Sequence, residues 1–399
     1  MRVAVIAHNP LGESPGTNYR IVELGRELAK LGVKYLILSP HEPDVELAPG
    51  MRIVSLSGPL TRIISRVVYK LGRALLYHRG TARSLLKLLT SELAIKELSR
   101  EAVKALSGLD IDIVQGTQDI ESLPYLLAAQ ELGLPFIIDL HNLTSEETLD
   151  AGLLRPGDAL LARLKELERE LVHGADVVAP VSEELAQFIR EEYDVERSKI
   201  VVVRSGGRPV TDRVSWEKPK RVVHAGMMVY RCWPGLLVKA MALTAKRRPK
   251  TSFYTAKRGE LLGKALRLAR RFGLDLRTYW FDKLAALRRF LTGSYMGLIT
   301  STISLARRFG YPAKLFECMS AGLPMVVNDV GGWTDIIRHE RIGLVCPADP
   351  SELADAICWL LDNEDTATRM GLRCLELVRG PFSWRVSARE MLRAYELAA

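Results

Sequence analysis

Short runs of apolar residues alternate with amphipathic segments along most of the chain, and this alternation restricts the fold more than any other feature. The apolar runs have the length of strands. The segments between them carry apolar residues at i, i+3 and i+4 spacing, which predicts helices. Strands that alternate with helices form parallel sheets, because each crossover helix returns the chain to the same edge of the sheet. We therefore expect an α/β fold with doubly wound parallel sheets.

The chain is too long for a single core, and its composition changes near the middle. It has 399 residues, and chains of this length divide into domains. Glycine, proline and charged residues are concentrated in residues 205–220, which predicts a linker. We therefore predict two Rossmann-like domains, an N-terminal one over 1–204 and a C-terminal one over 221–380. A last helix within 381–399 is expected to cross back to the N-terminal domain.

The stretch from Gly310 to Asp335 combines several features that suit an anionic ligand. It predicts a turn, a helix that begins at Lys314, a buried strand and a second turn at Gly331 and Gly332. A helix start with free N–H groups and an adjacent lysine suits a phosphate. Ligands lie outside the carboxyl ends of strands in open α/β sheets, so we expect a central cleft that both domains face. The alternative is an ordinary arrangement, since strand, turn and helix recur in every α/β domain.

Two titratable residues stand out by their positions. Glu317 lies one turn into an otherwise apolar helix, where a plain solvated role is not expected. His141 lies just past an apolar run that predicts a strand, where it can line the central crevice. The alternative for His141 is a structural histidine whose ring nitrogens are satisfied by neighbouring groups.

The chain carries a net charge of +9, which favours phosphorylated substrates, anionic lipid or nucleic acid as partners. The dinucleotide fingerprint G-x-G-x-x-G does not occur, so an NAD enzyme is not favoured. A recognition-helix motif does not occur either, so we expect no nucleic-acid partner.

The five cysteines lie in the second half of the chain, without a C-x-x-C pair or a histidine cluster. This pattern predicts buried thiols in a reducing cytoplasm and no metal site. The N-terminus lacks the features of a signal peptide, and no apolar run is long enough to span a bilayer. Asparagine and glutamine are scarce while arginine and glutamate abound, which indicates a thermophilic source.

The segment Leu60–Thr90 contains seven basic residues and no acid, within a helical insertion expected at about 60–107. Four of the basic residues share one face of the predicted helix, namely Arg62, Arg66, Lys70 and Arg73. A basic amphipathic helix suits an anionic membrane surface or a lipid-linked phosphate acceptor. The alternative is a solvated face on a core helix.

Six segments, in order along the chain, resemble those of one enzyme family. They are PFIIDLHN, LERELVHGADVVAPVSEELAQFI, VVHAG, YPAKLFECMSAGLPMVVNDVGG, RIGLVCPADPSELADAICWLLDN and FSWRVSAREMLRAY. The ordered set is similar to the GT-B glycosyltransferases of family 4, which are retaining enzymes that use nucleotide sugars. The resemblance covers most of the chain except about residues 42–108.

The resemblance implies roles for individual residues. Glu317 would hold the ribose hydroxyls of the donor through a bidentate contact. The loop from Gly310 to Lys314 would meet the donor sugar and diphosphate, and His141 would lie near the sugar. The donor-binding set implied in this way is Gly12, Gly16, Gly226, Gly310, Tyr311, Glu317, Gly331 and Gly332.

Some positions depart from the family pattern and change the expected phosphate contacts. The first acid of the family's glutamate pair would fall at Phe309, and Met227 replaces the arginine after the donor-domain glycine. We therefore assign diphosphate neutralisation to Arg231 and Lys314, which with His141 form the expected catalytic set. Arg204 and Arg208 stand behind them as further cations. Cations aimed at a leaving phosphate stabilise the charge that builds there, so no metal is required.

The resemblance thus implies transfer of a sugar from a UDP- or GDP-linked donor, with retention of configuration and without a further cofactor. The expected acceptor is a glycan or a lipid-linked phosphate, and an anionic membrane surface at the inner face is a further expected partner. One alternative is a non-catalytic GT-B scaffold that binds a nucleotide sugar or a partner protein, which Phe309 and Met227 motivate. A nucleotide-sugar epimerase ranks third, because such enzymes need more acids in the cleft.

Overall fold

The computed structural model describes residues 1–7, 17–40, 46–56, 79–281 and 284–399. The chain forms two compact units. Unit 1 contains Met1–Ser205 together with Trp384–Ala399, and unit 2 contains Gly206–Ser383.

Unit 1 is built on a six-stranded parallel sheet. Its strands are β1 (Arg2–Ile6), β2 (Lys34–Ser39), β3 (Met51–Ser55), β4 (Ile113–Gln118), β5 (Phe136–Leu140) and β6 (Val177–Pro180). The strand order is β3-β2-β1-β4-β5-β6, so the order reverses between β1 and β4. In register, Val5 of β1 pairs with Ile37 of β2 and Gln115 of β4.

Helices connect and cover these strands. They are α1 (Thr17–Lys30), α2 (Arg79–Leu89), α3 (Glu92–Ser107), α4 (Leu123–Glu131), α5 (Thr144–Asp150), α6 (Ala159–Gly174) and α7 (Glu183–Tyr193). Ser91 and Ser182 cap α3 and α7, since each hydroxyl accepts a backbone N–H from the first turn of its helix.

Unit 2 repeats the same plan with a second six-stranded parallel sheet. Its strands are β7 (Arg221–His224), β8 (Ser252–Ala256), β9 (Leu276–Tyr279), β10 (Met296–Ile299), β11 (Met325–Asn328) and β12 (Gly343–Cys346). The order is β12-β11-β10-β7-β8-β9, so here the order reverses between β10 and β7.

The helices of unit 2 follow its strands. They are α8 (Pro234–Arg247), α9 (Leu262–Arg271), α10 (Leu284–Thr292), α11 (Leu305–Phe309), α12 (Ala313–Ser320), α13 (Trp333–His339), α14 (Pro350–Asp362) and α15 (Glu364–Arg379). The final helix, α16 (Trp384–Ala398), packs in unit 1, where Trp384, Met391 and Tyr395 join the core around β1 and β4.

The predicted α/β fold with two doubly wound Rossmann-like domains is confirmed, because both sheets are parallel and share the Rossmann strand order. Burial explains why the pattern predicted the strands, since central strands such as β1 and β11 are buried along nearly their whole length and carry near-continuous apolar runs.

Local differences from the predictions lie in short or irregular segments. Residues 200–203 have an apolar pattern that predicts a strand, but they only bridge to β6 at Ile200 and donate two backbone hydrogen bonds to it. The helices α5, α11 and α13 were not predicted, because segments of five to seven residues are too short to show a period.

The segment expected as a linker packs on unit 2. The N–H of Val210 donates to the carbonyl of Ser320, and the N–H of Glu217 donates to the carbonyl of Gly293. Of the expected insertion, residues 79–107 form α2 and α3. The predicted basic face of Arg62, Arg66, Lys70 and Arg73 lies outside the described residues, as do Gly12 and Gly16. Within the described ranges, no helix is both long and apolar enough to cross a bilayer.

Candidate functional site

The carboxyl-terminal edge of the unit 2 sheet is the first candidate site, because ligands in open α/β sheets bind where the strand order reverses. There β7 ends at His224 and β10 ends at Ile299. Asn328, at the end of β11, forms two hydrogen bonds with Ser301 in the loop after β10. Its Oδ1 accepts the Ser301 N–H at 2.8 Å, and its Nδ2 donates to the Ser301 carbonyl at 3.1 Å. These hydrogen bonds fix the loop after β10 to the end of β11 at this edge of the sheet.

Lys314 and His224 meet at this edge. Lys314 lies in the first turn of α12, and its Nζ is 3.3 Å from Nε2 of the fully buried His224. The other ring nitrogen of His224, Nδ1, is 3.2 Å from Oγ1 of Thr255 on β8. Burial, then the charge of Lys314, lowers the pKa of His224 well below its ordinary value. The imidazole is therefore neutral and accepts a hydrogen bond from the Lys314 ammonium.

Cys232 and Gly226 complete the surroundings of the Lys314 side chain. The Sγ atom of Cys232 is 3.7 Å from Nζ of Lys314 and 3.7 Å from Nε2 of His224. A Cβ atom on Gly226 would lie 3.3 Å from Cε of Lys314, so the lysine stem passes directly over this glycine. The predicted residues Gly226 and Lys314 are thus brought together.

Glu317 lies one turn further along α12 and is buried at 6% exposure. Its Oε2 is 3.7 Å from Nε of Arg288 on α10, which keeps a cation beside the carboxylate. Phe309, at the position where the resemblance would place an acid, is 1% exposed and packs in the interior. Sequence reasoning missed Arg288, because nothing local links α10 to α12.

Arg231 lies in the loop after β7, where its main chain anchors the loop after β10. Its carbonyl accepts the Thr302 N–H at 3.0 Å and the Ser301 hydroxyl at 3.2 Å. Its exposed guanidinium donates from Nε to the Tyr230 hydroxyl at 3.0 Å. The guanidinium of Arg307 lies 5.8 Å from the centre of the same Tyr230 ring. This part of the edge is therefore cationic.

The remaining predicted residues of unit 2 cluster around the end of α11. Gly310 caps α11, and the Tyr311 ring packs edge-on against Phe316 at 6.0 Å between centroids. Gly331 and Gly332 have φ of +74° and +58° and lie against Arg308. The double glycine therefore packs against the end of α11, two residues before the Gly310 turn.

We expect Gly332→Ala to be more destabilising than a glycine substitution at a similar positive φ, because Gly332 combines φ +58° and ψ −114°, which L side chains avoid, with a close approach to the chain. A Cβ at Gly332 would lie 2.4 Å from the Arg308 carbonyl oxygen, and φ is +58°. The matched control is Gly273→Ala, with φ of +65° and no atom within 4 Å of the added Cβ. The control should lose about 1 kcal/mol of unfolding free energy and Gly332→Ala at least about 2 kcal/mol. Equal losses in urea titrations would contradict the close approach.

In unit 1, the edge of the sheet carries a buried ionic cluster around Asp139 on β5. Arg20 of α1 donates to both carboxylate oxygens of Asp139, at 3.0 and 2.8 Å, and to the Val203 carbonyl at 2.8 Å. His141 Nε2 is 3.0 Å from Oδ2 of Asp139. Burial opposes ionisation of Asp139, but the charges of Arg20 and His141 hold its pKa well below the ordinary range. His141 therefore directs Nε2 at the Asp139 carboxylate, and Nδ1 lies on the other side of the ring.

A second buried cluster follows β4 and was not predicted. Glu168 of α6 is fully buried, and it accepts the N–H and hydroxyl of Ser145 at 2.7 and 2.6 Å and the Tyr193 hydroxyl at 2.6 Å. Asp119 accepts the Thr144 N–H at 2.6 Å, and burial and then the charge of Glu121 raise its pKa to about 7. This cluster positions α5 behind the loop that carries His141.

The further cations expected from the sequence lie apart. The Arg204 guanidinium is exposed and pairs with Glu183 at 3.3 Å in unit 1. Arg208 belongs to unit 2, where its N–H donates to the Ser320 hydroxyl at 3.2 Å. All five cysteines are buried and reduced. Among the residues that the structure describes, no three His, Cys, Asp or Glu side chains are arranged to hold a metal ion.

Comparison with known proteins gives two family matches in tandem. The family model described as Glycosyltransferase Family 4 matches residues 15–206, and the one described as Glycosyl transferases group 1 matches residues 219–363. Among curated proteins, the chain is similar to a D-inositol 3-phosphate glycosyltransferase of Corynebacterium efficiens, with 26% identity over all of this chain and 96% of that protein. The enzyme of the same name from Kribbella flavida is 24% identical over 97% of this chain and 92% of its own.

Solved structures share the fold. The sucrose-phosphate synthase of Thermosynechococcus elongatus superimposes with a TM-score of 0.71 at 18% identity, covering 99% of this chain and 98% of that one. A trehalose-6-phosphate protein from E. coli bound with UDP-2-fluoro glucose gives a TM-score of 0.68 at 12% identity, covering 100% of this chain and 99% of that one. At these identities the likeness concerns the fold alone.

Proposed function

Because this chain belongs to the family 4 glycosyltransferases, we propose that it transfers a sugar from a nucleoside diphosphate donor to an anionic acceptor with retention of configuration. The donor binds at the carboxyl-terminal edge of the unit 2 sheet. The observation that carries this proposal is the Lys314 ammonium, held over Gly226 where the strand order reverses. The buried Glu317 follows three residues later on the same helix.

The chemistry required at this edge is stabilisation of a leaving group. Departure of a nucleoside diphosphate builds negative charge on its phosphate, and preorganised cations lower the barrier most when water is excluded. Lys314 and Arg231 supply that charge, and no metal ion takes part in the proposed step. Glu317 accepts the two vicinal ribose hydroxyls of the donor, so α12 binds both ends of the nucleotide sugar's diphosphoribosyl part.

In unit 1, His141 is the proposed contact for the donor sugar. Its Nε2 faces Asp139, so the neutral tautomer that carries its proton on Nε2 leaves Nδ1 to accept a hydrogen bond from a sugar hydroxyl. Arg20 keeps Asp139 ionised, and an ionised Asp139 keeps the His141 ring in this tautomer. No protein nucleophile is invoked, since retention here proceeds by departure and attack on one face of the sugar.

The acceptor is proposed to carry a phosphate. Two features support this: the net charge of +9 and the similarity to proteins named for D-inositol 3-phosphate. A phosphorylated polyol and a lipid-linked phosphate share this chemistry. If the acceptor is a lipid-linked phosphate, the chain would act as a peripheral protein at the inner membrane face.

The test is a transfer assay with the full-length chain. UDP- and GDP-linked radiolabelled sugars are incubated with inositol phosphate in one arm and with anionic liposomes containing polyprenyl phosphate in the other. We expect labelled product in one arm, unchanged turnover after addition of EDTA, and an axial anomeric linkage from an α-linked donor by NMR. Inverted product would overturn retention, and loss of turnover with EDTA would overturn metal independence.

A non-catalytic donor-binding protein is the second candidate, favoured by two positions. Phe309 is buried where the family places an acid, and Met227 is 46% exposed where the family places an arginine. This candidate predicts that a UDP- or GDP-linked sugar raises the melting temperature by mass action, while neither transfer nor hydrolysis occurs with any acceptor. Labelled product in either arm of the transfer assay excludes it.

A further inference from the structure

No step of the proposed function uses the buried imidazole of His224, although it touches the central cation of the site. We infer that His224 is a positioning residue, which accepts a hydrogen bond from Lys314 and thereby holds the ammonium where it binds the donor diphosphate. This inference rests on the proposed function, because it deepens the role of Lys314 at the same edge.

Three contacts define the position of the Lys314 ammonium. Its Nζ lies 3.3 Å from Nε2 of His224 and 3.7 Å from Sγ of Cys232. The lysine stem crosses Gly226, where an added Cβ would come within 3.3 Å of Cε. A lysine stem has four rotatable bonds, so an ammonium without such contacts would spread over many positions. The contacts therefore lower the entropy lost when a phosphate binds.

The tautomer of His224 makes it an acceptor rather than a competing cation. The hydroxyl oxygen of Thr255 lies 3.2 Å from Nδ1 and accepts the Nδ1–H of the ring. The lone pair of Nε2 can therefore accept a hydrogen bond from Lys314. The ring is fully buried, and burial together with the charge of Lys314 lowers its pKa well below the ordinary value. A protonated ring would repel the ammonium, so this environment keeps the pair in its binding arrangement.

The Lys314 ammonium can still donate a hydrogen bond to a ligand. Two of its three N–H groups are directed at His224 and Cys232, so one is left for a phosphate oxygen. Within the part of the chain that the structure describes, no carboxylate forms an ion pair with Lys314. A cation held in place by neutral partners is suited to an anionic ligand.

The experiment compares binding of a nucleoside with binding of its diphosphate. Uridine, UDP, guanosine and GDP are titrated by calorimetry into the natural chain and into His224→Phe, which fills the ring volume without an acceptor nitrogen. We expect His224→Phe to weaken diphosphate binding by about 10- to 100-fold and to leave nucleoside binding unchanged. A merely structural role would instead weaken both ligands alike.

Three further variants separate positioning from general damage. His224→Gln restores an acceptor near the Nε2 position and should recover most of the lost diphosphate affinity. The double variant His224→Phe with Lys314→Met should bind diphosphate as weakly as Lys314→Met alone, since the two residues act as one unit. His339→Phe makes the same exchange at an exposed histidine in the last turn of α13 and should change neither ligand.

The outcomes distinguish the two claims. If the natural chain binds no nucleoside diphosphate, the proposed function fails and this inference fails with it. If the natural chain binds one, but His224→Phe binds it equally well or loses the nucleoside to the same extent, the inference alone is overturned. Additive losses in the double variant would also overturn it.

Discussion

Glu317→Gln will weaken nucleoside diphosphate binding by about 100-fold, which corresponds to about 3 kcal/mol. The carboxylate can accept both ribose hydroxyls, whereas the amide of glutamine offers one acceptor and turns a donor towards the second hydroxyl. Glu317 is 6% exposed, so water cannot replace the lost contact without entering the α12 packing. Calorimetric titration with UDP and GDP measures the loss, and glycosyl transfer should fall in parallel.

A deoxy ligand tests the assigned contact itself. In the natural chain, the 2′-deoxy diphosphate should bind about tenfold or more weakly than the ribose form, whereas Glu317→Gln should bind the two forms almost equally. The matched control is Glu340→Gln. The Glu340 carboxylate forms an ion pair with Arg373 at 2.6 Å, and this pair does not lie at the carboxyl-terminal edge of the sheet. A variant at Glu317 that keeps the full preference for ribose would show that this residue does not bind the sugar hydroxyls.

Arg20→Met will lower the unfolding free energy of unit 1 by about 3–5 kcal/mol, because it leaves the buried carboxylate of Asp139 without its main counter-charge. Both side chains are at most 3% exposed, and the Arg20 guanidinium reaches both carboxylate oxygens. Urea titration followed by hydrogen exchange in peptides from β1, β4 and β5 reports this unit alone. The double variant Arg20→Met with Asp139→Asn should recover part of the loss, since the orphaned charge is gone.

The control for Arg20 is an exposed pair of the same chemistry. Arg100 pairs with Glu97 at 2.8 Å with the two side chains 60% and 49% exposed, so Arg100→Met should lose less than about 1 kcal/mol. An equal loss in the two variants would contradict the buried ion pair as a major stabilising contact.

The same pair sets a pH dependence whose sign follows from Asp139. Its pKa in the folded chain lies below the ordinary value, so its contribution to stability is present above about pH 4 and is lost as the pH falls further. Arg20→Met removes the main cause of that depression. The natural chain should therefore lose stability more steeply than the variant between about pH 5 and pH 3.

The local pattern of the sequence was sufficient for the architecture. Buried parallel strands are apolar along their whole length, and amphipathic helices repeat their apolar face every third or fourth residue, so both can be recognised without knowledge of any partner. The helix and strand within Gly310 to Asp335 were predicted for the same reason, and in the structure Gly331 and Gly332 lie against Arg308 of α11. Helices of five to seven residues, such as α11 and α13, carry too little period to be predicted.

Only part of the candidate site could be predicted from the sequence. Lys314 and Glu317 were found because they interrupt an apolar helix at a phosphate-suited turn. The residues that hold them were missed: Arg288 beside Glu317 and His224 beside Lys314. In the sequence, His224 is one polar residue at the end of an apolar run, and nothing there distinguishes it from a solvent-facing strand end.

By itself, the sequence determined two α/β domains and one helix that carries a cation and an acid on a common face. Only the tertiary structure decided which groups surround that cation. Lys314 and His224 are 90 residues apart, and they meet because the parallel crossovers place β10 beside β7 and not beside β9. Strand order is set by packing among distant segments, so no local period records it. The chemistry of Lys314 is therefore a property of the sheet order.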